Sequence, residues 1–184
     1  MSKKIINHLI LFLSFLIMGA WTQPKYCKIS DRIFFAYNKE LCKQKHLQLT
    51  GKGGAMMDDI QKVNANYVSF DRLTVEEARR LYVDVAEGYL CRYNQNEEIR
   101  PFLHNYPFTI GNFKIMIGFE DEQRRHMNQG FVALIYNGKE DRILYRAFDR
   151  ELQKFVPLYE EPYETARDIV LKERDSMLQN RFSP

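Results

Sequence analysis

The sequence predicts an α+β fold: a single antiparallel sheet in β-meander order, with a long amphipathic helix and a C-terminal helix packed on one face. Three observations carry that expectation. A capped helical period runs through residues 74–93. Alternating apolar and polar residues follow in short runs from 113 to 158 around an Asn-Gly turn signal. A second helical pattern opens at Pro162. Strands followed by strands, with helices before and after, bury one apolar sheet face under helices.

Residues 60–70 come first. Val63, Ala65 and Tyr67 alternate with Asn64 and Asn66, the pattern of a half-buried strand. Thr74 then stands as an N-cap with Glu77 three residues on, a capping box. Behind it Ala78, Leu81, Tyr82, Val85, Ala86, Tyr89, Leu90 and Tyr93 recur at helical spacing, with Glu76, Arg80, Asp84 and Glu87 opposite. Cys91 falls on the polar side. Residues 99–106 read as a short helical turn closed by Pro107. Phe113, Ile115, Ile117 and Phe119 mark a strand, and after a charged loop at 120–128 a second runs through 131–136. Asn137-Gly138 then turns the chain into a third strand at 142–148. A further short strand is expected at 154–158. Pro162 suits a first helical position, and Tyr163, Ala166, Ile169, Val170 and Met177 continue the helix to about residue 179.

The N-terminal part differs in kind. Lys3 and Lys4 precede Ile5–Trp21, apolar except for Asn7, His8 and Ser14, which is the pattern of a secretory signal or a short anchor. Ala20-Trp21-Thr22 is the best cleavage site. An uncut segment would be borderline for a bilayer that wants about 20 apolar residues. The expected localisation is therefore exported: periplasmic, secreted, or tethered to the inner membrane. Between residues 23 and 55 seven lysines and arginines face two acids, whereas residues 56–184 hold 18 basic and 22 acidic residues. A basic, cysteine-containing leader (23–54) with a Gly-rich joint at Thr50-Gly-Lys-Gly-Gly is thus expected ahead of an α+β domain at 55–184. Such a leader could touch anionic lipid headgroups or an acidic partner. No nucleic-acid motif accompanies its charge. About 160 residues bury about 70% of their unfolded-chain surface, enough for one core without a metal.

Three cysteines in an exported chain lead to the expectation of a Cys27–Cys42 disulfide, with Cys91 free or joining two chains.

The segments Leu73-Thr-Val-Glu-Glu-Ala-Arg-Arg-Leu, Ile99-Arg-Pro-Phe-Leu-His-Asn-Tyr-Pro-Phe-Thr and Glu161-Pro-Tyr-Glu-Thr-Ala resemble a family of small exported bacterial proteins. The likeness spans about residues 55–172. It implies export and this fold, and no reaction, since that family has no assigned activity.

Chemistry is sparsely signalled. The histidines at 8, 46, 104 and 126 are far apart and no Cys-x-x-Cys is present, so neither a metal nor a cofactor is expected. No Gly-x-Ser-x-Gly marks a serine hydrolase. The densest polar cluster is 100–107, where Arg100, His104, Asn105 and Tyr106 are the candidate ligand-binding residues. The alternative there is structural, with Phe102 and Tyr106 filling the core and Arg100 paired to Glu97 or Glu98. The functional expectation is a non-catalytic binding module for an envelope or secreted protein or peptide. The competing one is a small hydrolase or transferase using the 100–106 segment or the Cys91 thiol.

Overall fold

A computed structural model describes residues 23–127 and 130–182. The Ile5–Trp21 segment lies outside them, and among the described residues no helix is long and apolar enough to cross a membrane. The elements in chain order are α1 (Lys25–Lys45), β1 (Gln48–Ala55), β2 (Lys62–Ser69), α2 (Val75–Gln95), β3 (Phe113–Phe119), β4 (Leu134–Asn137), β5 (Arg142–Asp149), β6 (Lys154–Pro162) and α3 (Tyr163–Phe182). The six strands form one sheet in the order β1-β2-β3-β4-β5-β6. All neighbours are antiparallel except β2 and β3, which run parallel because α2 carries the chain from one to the other. The fold is α+β with one sheet, as the periodicity predicted; the parallel pair and the sixth strand are additions to the meander.

The helices line up on one face, α2 between α1 and α3. Beneath them alternate strand residues are buried: Val63, Ala65 and Tyr67 on β2, Phe113, Ile115, Ile117 and Phe119 on β3, Ile143 and Tyr145 on β5. Their partners on the other face, Asn64, Asn66, Met116, Tyr136, Leu144 and Arg146 among them, stay half-buried.

The capping box forms as read: the Glu77 amide donates to Thr74 Oγ1 and the Thr74 amide to the Glu77 carboxylate. On α2 the tyrosines rather than the leucines form the innermost row. Tyr82, Tyr89 and Tyr93 are fully buried, while Leu81 and Leu90 are half-buried. A helix flanked on both sides has little solvent face left, so its polar residues pair outward. Asp84 meets Lys45 of α1 and Arg174 of α3, and Glu87 accepts from Tyr163 and Arg167 of α3.

The largest departure from the sequence expectation is the segment at 23–54. It is no leader. Ile29, Ile33, Phe34, Tyr37 and Leu41 of α1 belong to the same core as α2 and the sheet, so the expected boundary at residues 54/55 falls inside β1. The glycine run expected as a joint is strand. Asn66 and Asn64 of β2 lie across it, and a Cβ at Gly51 or Gly53 would stand 3.1 or 3.5 Å from their amide nitrogens. The Cys27–Cys42 disulfide does not form. Both thiols are free, and 15 helical residues separate them by roughly 22 Å, far beyond the ~7 Å that a bridge tolerates between Cα atoms.

Smaller corrections concern turns. The Asn-Gly pair does not itself make the β4–β5 turn. Glu140 and Asp141 take the left-handed conformation instead (φ 55° and 53°), and the Gly138 amide donates to the Arg142 carbonyl. The helical turn expected over 99–106 is a single 3-10 turn, Arg100–Phe102. Pro162 ends β6, and the helix starts at the next residue.

α1 and α2 approach so closely that only glycine fits at 88. A Cβ there would lie 1.9 Å from Tyr37 Oη. That hydroxyl donates to the carbonyls of Asp84 and Val85 (3.2 and 3.3 Å). Below it runs a buried polar ladder. Tyr67 donates to Asn38 Oδ1 at 2.7 Å, and Asn38 Nδ2 donates to Tyr89 Oη at 2.9 Å. Ser30 bonds Tyr93 at 2.8 Å. Burial pushes the phenols of Tyr67, Tyr89 and Tyr93 well above the ordinary range, so they stay neutral donors.

Candidate functional site

The segment 100–106 lies between α2 and β3, held in place by its buried neighbours. Ile99, Leu103 and Phe108 enter the core, and Ile60 and Leu103 form a short bridge in which the Ile60 amide donates to the Phe102 carbonyl. This leaves Arg100, His104, Asn105 and Tyr106 all exposed. Arg100 lies over the Tyr106 ring at 4.8 Å, and Tyr106 Oη donates to the Asn94 carbonyl. His104 Nδ1 is 2.7 Å from Asp59 Oδ2. Asn105 exchanges hydrogen bonds with Asn112. The four side chains therefore serve three separate sets of partners. The structural alternative is corrected as well: Glu98 pairs with Arg32, not Arg100, and Tyr106 is about half exposed rather than filling the core.

The Asp59–His104 pair is the nearest approach to acid–base machinery. Asp59 Oδ1 is out of solvent and without a hydrogen-bond partner among the described residues. Among the described residues no serine, threonine or cysteine bonds the His104 ring. Cys91 is exposed on α2. Among the described residues no group of three or more His, Cys, Asp or Glu could hold a metal ion.

Two surface pockets are elsewhere. One of about 440 Å³ lies at the end of the helix-free face among Lys62, Lys114, Tyr136, Lys139, Glu140 and Asp141, with its charges mixed. Another of about 460 Å³ is ringed by Arg124, Arg125, His126 and Arg150. Arg124 and Arg125 there face Glu120 and Asp121, which largely offset them.

The edge strands are more informative. β6 is nine residues long but guarded. Pro157 interrupts it, a bulge distorts its pairing with β5 next to Tyr145, and Lys154 and Glu160 are charged. Its exposed aromatics already have partners: Phe155 packs against His126 and Phe148, Tyr159 against Tyr145 and under Arg79. The strand is also pinned from within. Glu161, 2% exposed, takes hydrogen bonds from Arg79 (2.7 Å) and Tyr145 (2.6 Å).

β1 is the opposite. After its bulge at Thr50, the stretch Gly51–Ala55 pairs regularly with Lys62–Asn66, and its outer side pairs with no strand among the described residues. It contains no proline, and three of its five residues are glycine. The single charged side chain, Lys52, turns back over the helix face to Asp31 and lies over the Phe34 and Phe35 rings. Two exposed apolar groups flank this edge, Phe35 on α1 and Met57 just past the strand. Beside Gly53, Asn64 Oδ1 is shielded from solvent and has no hydrogen-bond partner among the described residues. In the sequence the glycine density of this stretch signals a turn and hides the site; the alternating polarity of 62–69 next to it was the usable clue.

The chain matches no protein-family model, no curated protein and no solved structure.

Proposed function

We propose that the chain is a non-catalytic, exported binding module that takes an extended segment of a partner polypeptide onto the β1 edge as a seventh strand. The bare edge carries this reading: a regular run of unpaired backbone with almost no side chains of its own. Strand addition draws affinity from main-chain hydrogen bonds and specificity from side-chain contacts at alternate positions. Phe35 and Met57 provide apolar contacts of that kind. Export is supported by Lys3, Lys4 and the apolar Ile5–Trp21 run.

The test is site-specific photo-cross-linking in the native envelope. A photoreactive side chain replaces Lys52 or Ala55 in one set of variants and Lys154 or Leu158 in another. The β1 positions are expected to give one discrete polypeptide adduct that the β6 positions do not. Adducts from β6 alone, or turnover of a substrate lost on His104→Ala, would overturn the proposal.

A further inference from the structure

The exposed side of α1 is a second surface, independent of the β1 edge. At 3.6 residues per turn, Lys25, Lys28, Arg32, Lys39 and Lys43 fall within an arc of about 60°. The stripe they form is roughly 27 Å long, from 18 residues at 1.5 Å each. The buried residues of the helix, from Ile29 to Leu41, face the other way. Among the described residues only Arg32 of the five is tied to a carboxylate, that of Glu98. The two acids of α1 itself are engaged elsewhere, Glu40 by Arg92 of α2 and Asp31 by Lys52 of β1. Lys25, Lys28, Lys39 and Lys43 thus present uncompensated charge along one straight line. They do so although the chain beyond residue 55 is net acidic.

The geometry points to an anionic lipid surface as the occupant of this stripe. A straight row of flexible ammonium groups on a helix fits a plane of phosphate headgroups. The sequence places it there as well. Three residues separate Trp21, the end of the apolar run, from Lys25, a reach of at most about 14 Å over four residue steps. Whether that run stays in the bilayer or is removed, the stripe is the first folded surface to follow it. The basic segment is therefore a rigid face of the domain, and docking through it fixes the orientation of the sheet to the membrane.

The described core draws its side chains from Ile29 to Val170, so the chain at 23–184 retains it and can be tested without the apolar run. The measurement is co-sedimentation of this chain with vesicles of phosphatidylcholine alone or with about one third phosphatidylglycerol. Binding is expected only to the anionic vesicles, and it should weaken steeply with salt. At about 1 kcal/mol for each lysine near the surface, or about fivefold, the triple variant Lys28→Ser/Lys39→Ser/Lys43→Ser should bind on the order of 100-fold more weakly. These lysines are exposed and unpaired, so its thermal midpoint should match the parent's. A control triple of Lys62→Ser, Lys114→Ser and Lys139→Ser removes the same charge from the other side of the sheet and should keep most of the binding. Absence of binding to anionic vesicles overturns the assignment, and so does equal loss in the two triples. Binding to polyglutamate but not to vesicles overturns it in favour of an acidic protein.

Discussion

The two edges of the sheet solve one problem in different ways. β6 ends the sheet with a proline, a bulge, charges and self-packed aromatics, and a buried ion pair fixes it to α2. β1 ends it with glycines and is tied to α1 by the exposed Lys52–Asp31 pair. Unpaired strand edges are templates for further pairing, and β6 carries several of the devices that suppress it. β1 is nearly without them on the same sheet. The difference marks which edge the fold leaves available.

The heaviest blow to this contrast comes from cutting the anchor of β6. Glu161→Ala leaves the Arg79 guanidinium buried without its carboxylate, a loss of about 3–5 kcal/mol in urea denaturation. A loss under about 1 kcal/mol would mean that β6 is held by its ladder to β5 alone. On the β1 side the anchor is packing. Gly88→Ala drives a methyl into Tyr37 and should destabilise by about 1–3 kcal/mol, although the same exchange in an ordinary helix gains about 1 kcal/mol. A stabilised variant would show that α1 can shift without cost.

The guard itself can be removed. Pro157→Thr restores an amide at the edge and should leave stability within about 0.5 kcal/mol. It should raise self-association in sedimentation velocity, which unchanged association would contradict. A pH-dependent effect belongs to Asp31. Burial alone would raise its carboxyl, but the bonds from Lys52 and Gln23 outweigh that and hold it below its ordinary 3.8. A depressed carboxyl contributes stability above 3.8 that is lost as pH falls through the folded value. Asp31→Asn should remove that acid dependence at a cost below about 1 kcal/mol at pH 7.

How legible the molecule was follows from how local each signal is. The capping box at Thr74 and the alternation of β3 are complete within a few residues, so their elements were found at nearly the observed bounds. α1 was missed because its Ile33-Phe34-Phe35-Ala36-Tyr37 run masks the helical period and its lysines looked like a solvated leader. The glycines of β1 signal a turn in sequence and become strand only because Asn64 and Asn66 of β2 cover them. The disulfide expectation fell with α1, since a continuous helix keeps Cys27 and Cys42 apart. In the 100–107 cluster the composition marked candidate ligand-binding residues, but where each side chain turns was not encoded locally: His104 meets Asp59, 45 positions away, and Asn105 meets Asn112.

Backbone amide exchange, followed residue by residue in the protein alone and in the complex recovered by cross-linking, tests the central claim most directly. An added strand at β1 should slow exchange by at least tenfold at outward-facing amides of the 51–55 stretch and leave β6 unchanged. Protection that appears on β6, or on neither edge while the partner is bound, would contradict strand addition at β1.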